Sequence, residues 1–251
     1  MYNLSRALYL GIRKAVKLVY PKTQLEGVEN LPDGPCVIVG NHAQMHGPIV
    51  AELYIPGTHY TWCAAEMMHL KEVPDYAYRD FWSGKPKSIR WMFRIASYLI
   101  APLSVCVFRN ANCIGVYRDM RALSTFRETL VKLENGARIV ILPEENVPYN
   151  DILWHFKSGF VDLARIYSSR TGQPLPFVPM YISPELRCAV LGRPVFCDCT
   201  ASAGPERERV CYELAEAITG LARELPEHTV IPYPNISKKL YPKNTAKRTS
   251  L

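Results

Sequence analysis

Apolar residues recur along the first twenty positions at helical spacing. Leu4, Leu8, Ile12, Ala15 and Val19 fall on one face, and Arg6, Arg13 and Lys17 fall on another. This predicts a basic amphipathic helix over residues 2–20, ended by Pro21, with Tyr2, Tyr9 and Tyr20 suited to a membrane interface. The same pattern also fits a helix docked on a protein core with its cations in water. Further on, Pro35-Cys36-Val37-Ile38-Val39 is an unbroken apolar run ending in Gly40, the pattern of a short buried strand. Val105–Phe108 reads as a second strand, and Ile114–Glu134 as an amphipathic helix with Ala122, Phe126, Leu130 and Leu133 on one face. Asn135-Gly136 caps that helix, and strand Ala137–Leu142 follows, stopped by Pro143. A helix over Phe156–Ser168, a strand over Phe177–Ile182 and a last helix over about Glu206–Leu225 complete the series.

Strands alternating with helices predict an α/β fold: a single domain with a mostly parallel central sheet flanked by helices, preceded by the N-terminal amphipathic helix. The expected boundaries are a membrane-interface helix at 1–24, an α/β domain at 25–230 and a basic, flexible tail at 231–251. No run reaches the ~18–20 unbroken apolar residues of a spanning helix. The nearest, Ile95–Phe108, contains Ser97, Pro102 and Ser104 and reads as a helix followed by a buried strand.

At 251 residues the chain can bury a full core. Its net charge of +7 is concentrated at the two ends. Residues 1–25 carry five cations and no acid, and so do residues 231–251. Setting those ten aside leaves 20 basic against 23 acidic residues, so the body is close to −3. Basic ends suit an anionic lipid surface. A nucleic-acid partner is not expected, because no recognisable module interleaves aromatics with these cations. Arg6, Arg13, Lys14 and Lys17 break the first apolar stretch, so no secretory leader is expected. The eight scattered cysteines then read as reduced thiols, and the expected location is cytoplasmic, peripheral on the inner face of the membrane. Cys197-Asp198-Cys199 lacks a second pair at zinc spacing.

The candidate chemistry lies in Gly40-Asn41-His42-Ala43-Gln44-Met45-His46-Gly47-Pro48, directly after the first apolar strand. A histidine just past a strand's carboxyl end sits where α/β proteins usually hold their chemistry, and imidazole moves protons at neutral pH. Read in order, Leu25–Pro32, Asn41-His42, Val107-Phe108-Arg109, Leu142-Pro143-Glu144, Phe156–Gly159 and Phe177–Met180 resemble the glycerol-phosphate and lysophospholipid acyltransferase family, including its 1-acylglycerol-3-phosphate acyltransferases. The resemblance runs from about Leu25 to Ile182.

It implies an enzyme that moves a fatty acyl group from acyl-CoA or acyl-carrier protein to a hydroxyl of a lysophospholipid or other lipid-like acceptor. His42 would be the general base and Arg109 the anion contact. Glu144 would be a catalytic carboxylate, with Asn41, His46, Glu145 and Asn146 beside the acceptor. No cofactor is implied beyond the acyl donor, and no metal. A metal at His42 and His46 would need both on one helical turn, which the following Gly47-Pro48 opposes.

Two departures bear on activity. The family's His-x-x-x-x-Asp ends here in Gly47, so the acid that orients the histidine is missing. Removing the acid from a Ser-His-Asp triad costs about 10⁴ in rate. Another acid (Glu144, Glu145 or Glu66) could reach the imidazole, or His46 could join His42. The third alternative is a catalytically weak or inactive relative that binds lipid or acyl donor. The second departure is Glu145-Asn146-Val147, which stands where the family has Gly-Thr-Arg and so exchanges a cation for an acid. That change favours a neutral or amine-bearing acceptor over a phosphate.

Overall fold

The computed structural model describes residues 2–82 and 86–246. The side chain of Tyr2 and residues Lys247 and Arg248, invoked above, lie outside the described residues. In chain order the elements are α1 (Tyr2–Val19), β1 (Gln24–Glu26), β2 (Val37–Gly40), α2 (His46–Tyr54), β3 (His59–Ala64) and α3 (Val73–Ala77). Then come α4 (Arg90–Asn110), β4 (Cys113–Val116), α5 (Ala122–Glu134), β5 (Arg138–Ile141) and the hairpin strands β6 (Glu144–Pro148) and β7 (Trp154–Phe156). The chain closes with α6 (Asp162–Thr171), β8 (Phe177–Ser183), β9 (Cys188–Leu191) and α7 (Ala203–Glu224). The α/β class, a mostly parallel sheet flanked by helices and a leading helix are as the alternation predicts. Two compact units form, one from the first 21 residues with Tyr60–Glu128, the other from Lys22–His59 with the chain beyond Thr129.

In the larger unit the strand order is β1-β9-β8-β2-β5. β2 runs parallel to both neighbours, with Ile38 opposite Val178 on β8 and Val140 on β5. Val37, Ile38 and Val39 are wholly buried, as expected of a parallel strand covered on both faces. β9 turns back antiparallel to β8 and carries β1 in parallel at the edge. On this sheet α7 packs Ala215, Ile218 and Ala222 into a cluster with Tyr181, Ile152, Leu153 and Val230. Burying that many apolar side chains, at about 25 cal/mol per Å², holds the helix in place.

In the smaller unit β3 and β4 pair in parallel, Thr61 opposite Cys113, and Trp62 meets Phe126 edge-on. α4 buries only a narrow stripe of small or polar residues, Ser97, Ala101, Ser104 and Asn110. Ser104 donates to the Met67 carbonyl (3.1 Å), and Asn110 Nδ2 donates to Ser5 Oγ on α1 (2.9 Å). The other side of α4 is open, with Trp91 66% and Leu99 75% exposed, and Ile95, Tyr98 and Leu103 beside them. On α1 the Ser5 side meets α4, while Leu4, Leu8 and Val19 of the apolar stripe stay exposed.

Several elements differ from the sequence pattern. Val105–Phe108 is not a strand but the end of α4, because the apolar run from Ile95 carries 3.6-residue rather than two-residue periodicity. The preceding turn and α4 together, Lys87–Asn110, are long and apolar enough by composition to cross a membrane, which no unbroken run predicts. Residues 114–116 belong to β4, and only from Ala122 does the Phe126/Leu130/Leu133 phase become a helix. Likewise β7 and a 3₁₀ turn over Ser158–Val161 precede α6, which starts at Asp162 rather than Phe156. Gly47 and Pro48 do not break a helix. They lie in the first turn of α2, where proline's missing N–H is harmless. Finally, the stretch expected as a flexible tail is folded as far as residue 246. Asn244 is fully buried and hydrogen bonds the backbone of His228, Ala222 and Leu225.

Candidate functional site

Gly40 ends β2 opposite Met180 of β8, where a side chain would be crowded. A Cβ would come within 3.0 Å of Met180 Cε and 3.1 Å of the Met180 carbonyl. Asn41 then clamps the chain to β8: its Nδ2 donates to the Ile182 carbonyl (3.1 Å), and its Oδ1 accepts the Ile182 N–H (2.7 Å). With its amide spent on backbone and its side chain buried, Asn41 fixes the start of the histidine turn rather than facing a ligand. Ala43 and Gln44 follow with φ of 43° and 55°, two consecutive non-glycine residues in the left-handed region. Such conformations cost on the order of 1–3 kcal/mol each, persist only where surroundings impose them, and cluster at functional sites.

The turn is held from several directions. Gly47 N–H donates to the His42 carbonyl (3.0 Å), and His46 N–H to the Ala43 carbonyl (3.1 Å), starting α2. Glu144, 5% exposed, accepts the His42 backbone N–H on Oε2 (2.5 Å) and the Trp154 backbone N–H on Oε1 (3.0 Å). One carboxylate therefore ties the histidine turn to the β6–β7 hairpin. Burial pushes its pKa up to about 7, against the two N–H donors, which favour the charged form.

The His42 ring is half-buried and meets Tyr233 edge-on, with centroids 5.6 Å apart and planes at 74°. Its Nδ1 is buried without a hydrogen-bond partner. Burial holds its pKa below the ordinary 6.5, which keeps the imidazole neutral. Among the described residues of the larger unit, no carboxylate bonds the ring. Glu144 reaches the peptide N–H instead. Position 47 offers no route either, because a Cβ there would meet the His42 carbonyl oxygen and lie 2.9 Å from Leu142 Cδ1.

Of the other expected site residues, His46 heads α2, half-buried, its pKa lowered first by burial and second by the charge of Lys238. Glu145 is half-buried on β6, and Asn146 and Val147 are exposed beyond it. Arg109 does not sit at a strand end. It lies exposed in the last turn of α4, in the smaller unit, with Nε donating to the Met68 carbonyl (3.0 Å). The strand-end arginine there is Arg118, two residues past β4, beside a cavity of about 210 Å³ that it lines with Glu66, Glu72 and Arg121. Its signal was the short apolar Ile114-Gly115-Val116 run, which sequence reading absorbed into a helix. Among the described residues no group of three His, Cys, Asp or Glu is placed to hold a metal ion.

The architecture is similar to that of a solved structure, the 1-acyl-sn-glycerophosphate (LPA) acyltransferase PlsC from Thermotoga maritima. The likeness has a TM-score of 0.50 and 19% sequence identity, over 90% of this chain and 84% of that one. It establishes the fold. No family model matches the chain, and no curated protein matches it. In this fold the histidine turn leaves the carboxyl end of a strand flanked by β8 and β5, the position at which open α/β sheets bind ligands.

Proposed function

We propose that the protein is an O-acyltransferase that moves a fatty acyl group from a thioester donor, acyl-CoA or acyl-carrier protein, to a hydroxyl of a lysophospholipid or other lipid-like acceptor. His42 is the general base. The observation that carries this reading is a half-buried, neutral imidazole at the end of β2, in a turn strained at Ala43 and Gln44 and fixed by Asn41 and Glu144. Because Nδ1 is buried, Nε2 takes the acceptor's hydroxyl proton. The freed oxygen attacks the thioester carbon, the C–S bond breaks, and the imidazolium returns the proton to the leaving sulfur. Glu144 acts as a positioning residue through the backbone.

Membrane association fits the same reading. The open apolar sides of α1 and α4, with Arg6, Lys14 and Lys17 exposed on α1, suit a helix pair lying in an anionic interface on the cytoplasmic side. Acyl transfer from acyl-CoA to a panel of lyso-acceptors tests the proposal, and turnover that survives His42→Ala removes His42 from the mechanism. A second reading, binding of lipid or acyl donor without turnover, is favoured by the unpartnered Nδ1. As the ring becomes imidazolium, no carboxylate among the described residues of the larger unit bonds it. Saturable binding of lysolipid with no product in any donor–acceptor pair would establish that reading.

A further inference from the structure

The C-terminal basic stretch folds back across the histidine turn. Residues 231–241 form a loop whose ends are pinned together. Val230 N–H donates to the Pro242 carbonyl (2.9 Å), and Asn244 N–H to the His228 carbonyl (3.1 Å). The buried Asn244 side chain accepts the His228 N–H (2.9 Å) and donates to the Ala222 carbonyl (2.8 Å). From that base Tyr233 reaches the edge of the His42 ring. Gln44, one of the two strained turn residues, donates from Nε2 to the Tyr241 hydroxyl (2.9 Å) and to the Pro234 carbonyl (3.5 Å).

Between these attachments lies the 3₁₀ turn Lys238–Leu240. Lys238 is near enough to His46 for its charge to disfavour protonation of that ring. Lys238 and Lys239 are exposed, form no ion pair among the described residues, and have no acid between 231 and 246 to oppose them. The β6 side of the turn has the opposite character: Pro143–Val147 carries Glu144 and Glu145 and no base.

We infer that residues 231–241 are a strap over the histidine turn, and that Lys238 with Lys239 supplies the anion-binding charge that residues 145–147 lack, taking a phosphate group of the substrate. This rests on the acyl-transfer reading and names the chemistry its substrate must carry at this end of the site. The loop's backbone is already closed at its base, so binding orders little beyond the lysine side chains themselves, and an ammonium pairs with phosphate by charge-assisted hydrogen bonds. The phosphate can belong to the acceptor's headgroup or to the CoA moiety of the donor.

The test compares wild type with the Lys238→Ala/Lys239→Ala double variant in neutral-detergent micelles, where membrane adsorption plays no part. One arm sets lysophosphatidate against monoacylglycerol as acceptor. The other sets acyl-CoA against the acyl thioester of N-acetylcysteamine as donor. The expected result is a KM raised about tenfold for a phosphate-bearing partner and unchanged for its phosphate-free analogue, and the arm in which this occurs identifies the source. Unchanged KM values in both arms, with wild-type turnover intact, overturn the strap's role and leave acyl transfer standing. If wild type turns over no pair, the acyl-transfer reading falls and calorimetric titration with lysophosphatidate and with CoA decides the strap. About tenfold weaker binding to the double variant supports it. Equal affinity, or no binding to wild type, overturns it.

Discussion

A side chain at position 47 would meet the His42 carbonyl and the Leu142 side chain, so the acid that the family resemblance leads one to miss has no room to return. The Gly47 N–H also donates to that same carbonyl, and the two residues form one tight turn. Gly47→Asp should therefore lower stability by about 1–3 kcal/mol in urea unfolding and raise no activity. Burial outweighs the backbone groups of Gln44 and His42 that favour the charged imidazole, and the lowered pKa places the acid limb of kcat/KM below pH 6.5, which a pH–rate profile checks. Glu144 runs the other way. Its folded pKa near 7 lies above the ordinary 4.5, so the folded chain holds the proton longer and stability falls as pH rises from about 4.5 to 7. The fall is on the order of 3 kcal/mol. His42 and His46, with depressed values, lose their contribution as pH drops through 6.5, so the carboxylate is isolated only by difference. Urea midpoints of wild type minus Glu144→Gln should decline across pH 4.5–7. A flat difference would mean that the carboxyl is not buried as described.

At the scale of elements, legibility followed the amount of pattern available. Long elements with a clear phase, such as the last helix or the apolar strand over Phe177–Ile182, were readable to within a few residues. Val105–Phe108 was not, since four apolar residues fit either period and only the continuous turn from Arg90 decides for a helix. That helix matters for where the protein works. Its fully buried residues are small or polar, Ile100, Val105 and Phe108 pack partly buried against Met67, Val73 and Ala77, and its other side leaves Trp91, Leu99 and further apolar side chains exposed. Trp91→Glu/Leu99→Glu should reduce partition onto anionic vesicles by tenfold or more, measured by cosedimentation, because burying each such side chain contributes about 1.5–3 kcal/mol. Lys14→Gln/Lys17→Gln on α1 should weaken it by about 1 kcal/mol per charge and flatten its salt dependence.

Across the whole molecule, the sequence disclosed charge at both ends but not where the folded chain carries it. Tyr233, Lys238 and Tyr241 lie some 190 residues from the histidine turn, and nothing in local pattern links Gln44 to the Tyr241 hydroxyl. What the sequence did carry was the order strand, histidine, strand, Pro-Glu, and from it the placement of His42 at a strand's carboxyl end. Arg109 was placed at a strand end because the helix that carries it read as a strand, whereas the short strand β4 before Arg118 read as the start of a helix. Both basic ends also bear on solution behaviour: a body near −3 between cationic ends predicts that vesicle binding depends on anionic lipid and fades with salt. The most direct test of the account is acyl transfer from radiolabelled acyl-CoA to lysolipid acceptors on anionic vesicles, by wild type and by His42→Ala. The account predicts acylated lipid from wild type, at a rate reduced by the missing acid, and product at background from the variant. Equal product from both would contradict it.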